Sequence, residues 1–364
     1  MKIFKIKEKE FYYNLADIDA TNATYKIIIG KRSNGKTFAI LEKVIRKYFE
    51  LGIPSVMLRR YDADLKSVTF RAMFNDKLCN LIKKLSHNRY DTVIFKSNKF
   101  FLAKKDIAKD KIITSQKILL YAVSLNTWER SKGGDVGDVF CLCFDEFLTR
   151  GQYLQDEFLL FANVVSSFKR DRKIEIYMLG NTVNKYSPYW EEMGLYNIEN
   201  QKQGTIAIYT YNTEKLTVAV EYCLNSENTK ETDYYFAFNN PALDMITSGV
   251  WEEARYKHLK DRFTSDDIYF IFYIKFTGHY IKGTVFKRDC DIFLFFNAES
   301  ITPTITATTV FYTDEPIKSM YHSNSFSMWN SKKQHLIYNL LKQHRDYYSS
   351  NTVGEIVNNF MKEN

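Results

Sequence analysis

Apolar residues in the first two hundred positions follow two periodicities in turn. Short apolar runs predict strands, and these runs cover residues 26–30, 53–60, 91–96, 99–103, 117–123, 139–147 and 174–181. Apolar residues spaced three and four apart predict helices after residue 37, over 71–88 and near 154–169. Strands that alternate with helices in this way indicate an α/β fold with a mostly parallel sheet.

The pattern changes beyond residue 181, where strands and helices fall into separate runs. Residues 182–204 are polar and irregular, and 205–222 predict a strand, a turn and a strand. The later predicted elements are a helix near 241–258, antiparallel strands at 268–276, 279–287 and 291–297, and helices at 331–348 and 353–362. A chain of 364 residues is long enough for two domains. We predict them at 1–200 and 236–364, with a linker region at 201–235.

The segment GKRSNGKT at 30–37 matches the phosphate-binding pattern G-x-x-x-x-G-K-[ST]. An apolar run precedes it and helical spacing follows it, which is the context that the motif requires. Glycines let the backbone N–H groups wrap around a triphosphate, while Lys36 reaches its phosphates and Thr37 joins a Mg²⁺ shell. The predicted nucleotide-binding residues are Gly30, Lys31, Arg32, Ser33, Asn34, Gly35, Lys36, Thr37 and Phe38.

Two acidic residues, Asp145 and Glu146, end the apolar strand predicted at 139–146. In enzymes with a phosphate-binding loop, an acid at this strand end holds Mg²⁺, and a second carboxylate can orient or deprotonate the attacking water. An acidic helix cap would give the same two letters. The upstream loop and the five apolar residues before the pair favour ATP hydrolysis, with Asp145 on the metal and Glu146 on the water.

Asn181 ends the next predicted strand, in the sequence LGN. Its residues fit two interpretations equally: a polar sensor that faces the γ-phosphate, or a Gly-Asn turn. Nearby, NKYS at 184–187 is similar to the guanine-reading N-K-x-D pattern, but Ser187 replaces the aspartate that binds the base. The sequence therefore favours ATP over GTP.

Two basic segments accompany these motifs. The run KRDRK at 169–173 follows the helix after the acidic pair, and RSK at 130–132 lies in a glycine-rich loop before it. Either segment fits a solvated charged surface. The alternative for 169–173 is an arginine supplied to the site of a neighbouring subunit, and for 130–132 it is a contact with a neighbouring subunit or with DNA. Both interpretations stay open on the residues alone.

Composition adds few constraints. The formal net charge of +8 suits a polyanionic partner and equally an ordinary globular protein. The five cysteines form no C-x-x-C pair and no zinc pattern, and an odd count suits a reducing compartment. The N-terminus lacks the apolar core of a signal peptide, and no apolar segment has bilayer-spanning length. We therefore expect a cytosolic protein without a membrane partner.

Taken in order, several motifs resemble those of the double-stranded DNA packaging ATPases of small podophages with protein-primed genomes. They are FYYN (11–14), IIIGKRSNGKT (27–37), LRRYDADLK (58–66), LNTWERSK (125–132), FDEF (144–147), SFKRDR (167–172) and LGNTV (179–183). The phosphate-binding loop alone is generic, whereas the two arginines after the second strand and FDEF make the resemblance specific.

The resemblance implies an N-terminal ASCE-type ATPase and a C-terminal α+β domain similar to RNase H-like nucleases. Such proteins use ATP and Mg²⁺ to pump viral double-stranded DNA into a preformed prohead. They assemble as a homo-oligomeric ring, usually a pentamer, at the portal vertex, with or without a structural RNA. The expected location is the host cytoplasm, with transient attachment to the prohead and absence from the mature virion.

The same resemblance assigns roles to residues. Lys36 and Thr37 bind nucleotide and Mg²⁺, Asp145 holds the metal, Glu146 activates water and Asn181 couples hydrolysis to motion. The arginine that acts on a neighbouring subunit is expected in the basic segment. The candidates for that role, together with a lysine placed between subunits, are Lys169, Arg170, Arg172 and Lys132.

The C-terminal domain is predicted to lack nuclease activity. A two-metal nuclease gathers several carboxylates, but the strand at 268–276 has none in its interior and carries Lys275. Three alternatives remain beside the packaging motor: a terminase-like ATPase with an active nuclease, a P-loop kinase, and an adaptor whose nucleotide only switches conformation. The water-activating Glu146 argues against the kinase.

Overall fold

A computed structural model describes residues 1–5, 13–106, 111–128, 137–170, 173–183, 187–211, 216–224, 256–259, 264–288 and 291–363. The chain divides into two compact units. The first comprises Met1–Arg150 and Leu154–Glu252, and the second comprises Gly151–Tyr153 and Glu253–Asn364. Among the described residues, no helix is both long and apolar enough to cross a bilayer.

A ten-stranded sheet forms the first unit. Its strands are β1 (Lys2–Lys5), β2 (Tyr25–Gly30), β3 (Ser55–Arg59), β4 (Thr92–Lys96), β5 (Lys99–Asp106), β6 (Lys111–Ser124), β7 (Cys141–Asp145), β8 (Glu175–Asn181), β9 (Thr205–Tyr211) and β10 (Leu216–Tyr222). They lie in the order β1-β9-β10-β2-β8-β7-β3-β6-β5-β4. The six strands from β10 to β6 in this order run parallel, and the strands at both edges run antiparallel.

Parallel pairing explains why the central strands are apolar throughout. Strands β2, β7 and β8 are covered on both faces, so their residues are buried almost without alternation. The register pairs Gly30 with Asn181 and Asp145 with Leu179. The carboxyl ends of the three strands therefore lie side by side, where ligands bind in open α/β sheets.

Helices of the first unit connect these strands. They are α1 (Ala16–Ala20), α2 (Lys36–Leu51), α3 (Asp62–Lys66), α4 (Val68–Arg71), α5 (Asp76–Leu85), α6 (Leu125–Trp128), α7 (Glu157–Lys169) and α8 (Pro188–Glu192). Ala39, Ile40, Val44 and Tyr48 of α2 belong to the buried cluster that packs on the sheet. This apolar face fixes α2 directly behind the loop at 30–37.

The second unit contains a six-stranded sheet of order β15-β14-β11-β12-β13-β16. Its elements are β11 (Ile268–Phe276), β12 (His279–Arg288), β13 (Asp291–Glu299), β14 (Phe311–Thr313), β15 (His322–Ser323), α9 (Lys332–Lys342), β16 (Asp346–Tyr348) and α10 (Asn351–Glu363). The first three strands form the predicted antiparallel meander, and β14 adds parallel to β11. Phe276 and Phe360 make an edge-to-face contact at 5.6 Å, which packs α10 on this sheet.

The structure corrects three expectations. Residues 205–222 form β9 and β10 of the first sheet, so the predicted linker region at 201–235 began too early. The helix predicted over 71–88 begins only at Asp76, because the side chain of Asn75 accepts the N–H of Leu78 and caps it there. The helix predicted over 331–348 ends at Lys342 and is followed by β16. Of the helix predicted near 241–258, residues 241–255 lie outside the described part of the chain.

Candidate nucleotide site

Two glycines shape the loop between β2 and α2. Gly35 has a φ of 93°, a left-handed conformation that glycine adopts without strain. A Cβ on Gly30 would lie 2.8 Å from the Cβ of Cys223, so only glycine fits beside β10 at this point. The loop therefore has the tight geometry that the motif predicted, and α2 begins at Lys36 with its amino end towards the loop.

A cavity of ≈ 320 Å³ opens at this edge of the sheet. Its lining residues are Arg32, Ser33, Asn34, Gly35, Lys36, Thr37, Phe38, Asp145, Glu146, Leu179, Gly180 and Asn181. The structure thus brings together most of the residues that the sequence predicted. Gly30 and Lys31 are not lining residues, but their carbonyl oxygens accept hydrogen bonds from Lys36.

The side chain of Lys36 is buried and donates only to neutral oxygens within the described chain. Its Nζ lies 2.8 Å from the Lys31 carbonyl and 3.3 Å from that of Gly30. The amide oxygens of Asn34 and Asn181 accept from it at 3.1 Å and 3.2 Å. Burial lowers the pKa of Lys36. A phosphate would supply the negative charge that this ammonium lacks.

Thr37 and Asp145 form the second part of the site. The Thr37 hydroxyl donates to Asp145 Oδ1 at 3.2 Å. Burial raises the pKa of Asp145, against the opposing effect of the nearby Arg59 guanidinium. No group of three or more acidic, histidine or cysteine side chains suited to a metal occurs in the described residues. A hydroxyl and one carboxylate nevertheless fit Mg²⁺, because Mg²⁺ usually takes its remaining ligands from water and phosphates.

Glu146 has a left-handed backbone, with a φ of 61°. This conformation is uncommon for a residue with a Cβ. Its side chain is 58% exposed, whereas that of Asp145 is 5% exposed. The two neighbouring carboxylates therefore have different environments, one buried beside the Thr37 hydroxyl and the other open to the cavity.

Sequence reasoning gave no role to Arg59, which joins both carboxylates. Its two terminal nitrogens lie 2.7 Å from Asp145 Oδ2 and 2.5 Å from Glu146 Oε2. Burial by itself would lower the pKa of Arg59, but the two carboxylates outweigh it and raise that pKa. The sequence does contain a signal for Arg59, namely the two arginines at the end of an apolar strand. Because β3 lies next to β7 in the sheet, the end of β3 is close to the acidic pair.

The described basic residues at the end of α7 do not line the cavity. Lys169 and Arg170 end this helix with exposed side chains, and neither lines the cavity. Lys132 and Arg172 lie outside the described residues, as do 184–186 of the NKYS segment. The structure therefore leaves a role for this segment in the chain's own cavity without support, and a role in a neighbouring subunit stays a prediction.

In the second unit, Lys275 of β11 pairs with Glu315 just beyond β14. This ion pair raises the pKa of Lys275, chiefly through its hydrogen bond to Glu315, and lowers that of Glu315. An ammonium thus lies where the sequence suggested that a nuclease would place a metal ligand.

Comparison with known proteins assigns the family. The model of the Podovirus DNA encapsidation protein (Gp16) family matches residues 7–202 of this chain, which is more than half of its length. The chain belongs to the Podovirus DNA encapsidation protein family. The matched segment includes the whole nucleotide site, from the loop at 30–37 to Asn181.

Relatives and solved structures agree with this assignment. The DNA packaging proteins of Bacillus phages phi29 and PZA are each 22% identical over 187 residues, 50% of this chain and 50% of theirs. The chain thus spans about half the length of the curated relatives it matches. The bacteriophage phi-29 viral genome packaging motor assembly aligns over 98% of this chain and 100% of its own, with a TM-score of 0.55 at 16% identity. The phi-28 gp11 DNA packaging motor gives a TM-score of 0.53, also at 16% identity, over 97% of each chain. At these identities the likeness is one of fold.

Proposed function

We propose that this encapsidation-family chain is an ATP-hydrolysing motor that moves viral double-stranded DNA into a preformed prohead. The observation that carries the proposal is the convergence of Lys36, Thr37, Asp145, Glu146 and Asn181 on one cavity. Each side chain has a separate task in phosphoanhydride hydrolysis, and the sheet places all five at adjoining strand and loop ends.

The residues divide the chemistry as follows. The backbone of the loop and the Lys36 ammonium bind the phosphates, and Lys36 exchanges its neutral acceptors for charged phosphate oxygens. Thr37 and Asp145 hold Mg²⁺, which neutralises phosphate charge when bound. Glu146 is the exposed carboxylate, so it is the one that can reach and orient a water molecule. Asn181 contacts Lys36 and is therefore placed to respond to the γ-phosphate.

Substrate and partners come from the family and its relatives. Both the phi29 relative and the PZA relative are DNA packaging proteins. We extend to this chain the viral double-stranded DNA, the prohead portal vertex with or without a structural RNA, and a ring of identical subunits, with five as the expected number. In that ring, Lys169, Arg170, Arg172 and Lys132 are the candidates to act on a neighbouring nucleotide.

For the second unit we propose an RNase H-like sheet without nuclease activity. An antiparallel meander extended by parallel strands at the β11 edge supports the fold. The Lys275–Glu315 pair supports the loss of metal-dependent cleavage, since an ammonium repels the cations that such a site needs. This unit would then bind prohead or DNA without cutting it.

Packaging by purified components tests the proposal. Proheads, phage DNA and ATP are mixed with the parent chain, with Lys36→Ala or with Glu146→Gln, and DNA protected from added nuclease is measured. We expect ATP-dependent protection by the parent and none by either variant. Lys47→Ala, which removes an exposed lysine of α2, is the control and should package normally. Protection by both site variants would overturn the proposal.

A further inference from the structure

A buried ion pair lies behind the acidic pair of the nucleotide site. Arg60 and Glu157 are 6% and 2% exposed. The guanidinium donates from Nε to Glu157 Oε2 at 2.7 Å and from Nη2 to Glu157 Oε1 at 2.9 Å. Tyr189, itself fully buried, donates to the same carboxylate at 2.9 Å, and the Leu154 N–H donates at 2.8 Å. Glu157 is therefore saturated with donors.

Two further contacts of this guanidinium reach the backbone beside the proposed water-activating residue. Arg60 Nη1 lies 3.3 Å from the carbonyl oxygen of Glu146, and Nη2 lies 2.5 Å from that of Phe147. The Phe147 N–H donates to the Leu179 carbonyl at 3.1 Å, and the Phe147 ring packs edge-on against Tyr189. Two consecutive carbonyls are thus fixed where the chain takes its left-handed turn at Glu146.

The carboxylate end of the pair belongs to a helix that leaves the site. Glu157 is the first residue of α7, and Lys169 is its last. Phe161, one turn further along α7, packs against Tyr189 and stacks on Phe144 of β7. The amino end of α7 and the backbone of Glu146 are therefore held by the same guanidinium, and α7 connects that point to the exposed Lys169 and Arg170.

We propose that Arg60 and Glu157 form a positioning pair that sets the direction of the Glu146 carboxylate and couples it to the position of α7. The inference rests on the proposed hydrolysis of ATP. Arg60 does not line the cavity, so it acts through the Glu146 backbone and not on the nucleotide. A left-handed non-glycine residue persists only where its surroundings hold it, and the two carbonyl contacts provide that restraint.

Stability alone is a weak reason for such a pair. Replacing a buried ion pair by apolar side chains of similar volume is often neutral or stabilising, whereas removing one partner leaves an uncompensated charge. The double variant Arg60→Met with Glu157→Met is therefore expected to fold, while it releases both carbonyls and the end of α7. The matched control is Arg46→Met with Glu42→Met, which removes an exposed pair on α2.

The first measurement is steady-state ATP hydrolysis by the full chain, with the affinity for a non-hydrolysable ATP analogue and the thermal midpoint measured in parallel. We expect kcat to fall at least tenfold in the double variant, with analogue affinity changed less than twofold and a cooperative melt. The control pair should leave all three quantities unchanged. Parental kcat in the folded double variant would overturn the positioning role.

A second measurement separates positioning from general damage. In a Glu146→Gln background the carboxylate that the pair directs is already absent, so the double substitution should lower the residual rate less than twofold. A further tenfold loss in that background would show that the pair acts elsewhere and would overturn the inference. If the double variant fails to fold, Tyr189→Phe removes one donor to Glu157 and serves in the same cycle, with a smaller loss expected only when Glu146 is present.

The two hypotheses fail in different ways. A parent chain that hydrolyses no ATP with its packaging partners present would overturn the proposed function, and the positioning role with it. A parent that depends on Glu146 but not on Arg60 and Glu157 would overturn the positioning role alone.

Discussion

Two clusters of charged side chains lie at opposite ends of β2 and β8. They contain the same number of charges but pair them differently. At the amino ends, Lys26 and Lys43 meet Asp19 and Glu175 around the hydroxyl of Tyr177. At the carboxyl ends, the cations are Lys36 and Arg59, and the carboxylates are Asp145 and Glu146. Each cluster contains two positive and two negative side chains, and the second lies at the cavity of the nucleotide site.

The difference lies in how the charges are shared. In the amino-end cluster, each lysine lies within 3.2 Å of both carboxylates, so every charge has opposite neighbours. In the carboxyl-end cluster, Arg59 takes both carboxylates. Lys36 is left with carbonyl and amide oxygens among the described contacts. The first arrangement stabilises the fold, whereas the second leaves one buried cation that a phosphate can satisfy.

The largest expected effect is at the carboxyl-end cluster, where a substitution should lower activity without lowering stability. Glu146→Gln should lower kcat for ATP hydrolysis by about 10²–10⁴-fold, the usual contribution of a general base. Because the side chain is 58% exposed, the thermal midpoint and the affinity for an ATP analogue should stay the same. Phosphate release and calorimetric binding measure the two quantities. Glu50→Gln, at an exposed position of α2, is the control, and an active Glu146→Gln variant would refute the assignment.

The reverse is expected at the amino-end cluster, where a substitution should lower stability without lowering activity. Lys26→Met removes a cation whose side chain is 3% exposed, so that Lys43 is the cation left beside Asp19 and Glu175 in this cluster. Loss of one partner from a buried pair costs about 3 kcal/mol of unfolding free energy. Chemical denaturation measures this loss, and kcat of the folded protein should not change. The exposed Lys47→Met should shift the unfolding free energy by less than about 0.5 kcal/mol. Equal losses of unfolding free energy in the two variants would mean that the amino-end cluster stabilises the fold no more than an ordinary surface pair.

Arg59 allows a test by pH. Burial raises the pKa of Asp145, and the Arg59 cation acts against this rise. Arg59→Gln removes that cation, so the pKa of Asp145 should rise further. Less of this carboxylate is then ionised at a given acidic pH, and the acidic limb of kcat/KM should move to higher pH. Profiles of ATP hydrolysis between pH 5 and 8 measure the shift. Arg46→Gln at an exposed position should leave the limb in place, and an unmoved limb in Arg59→Gln would exclude this electrostatic role.

Sequence reasoning could locate the carboxyl-end cluster because most of its residues belong to short sequence motifs. The loop at 30–37 and the pair Asp145–Glu146 are short segments with fixed spacing, and an apolar strand before each predicts where they lie. Their convergence also follows from a parallel sheet, which places strand ends at one edge. Lys36, Thr37, Asp145, Glu146 and Asn181 line one cavity, and their roles in hydrolysis stay a prediction.

Residues whose roles depend on distant partners were missed. Arg60 meets Glu157 across 97 positions, and Lys26 meets Glu175 across 149. Nothing in the local pattern distinguishes these charges from surface charges, because burial is decided by how the strands and helices pack. The placement of β9 and β10 failed for the same reason. Their hairpin pattern was recognised, but its parallel pairing with β2 is a long-range contact.

The smallest expected effect concerns the stability that the amino-end cluster contributes at acidic pH. Burial alone would raise the pKa of Glu175, but hydrogen bonds from Lys43 and Tyr177 lower it from 4.5 to about 2. A carboxylate with a depressed pKa stabilises the fold above its unfolded pKa, and this contribution disappears as the pH falls towards 2. Because the side chain is 38% exposed, solvent reduces the contribution to about 1 kcal/mol. Glu175→Gln should therefore lower the unfolding free energy at pH 7 and converge with the parent between pH 4.5 and 2. Denaturant titrations across this range, with the exposed Glu42→Gln as control, measure the difference, and a pH-independent loss would show that Glu175 stabilises by packing and not by charge.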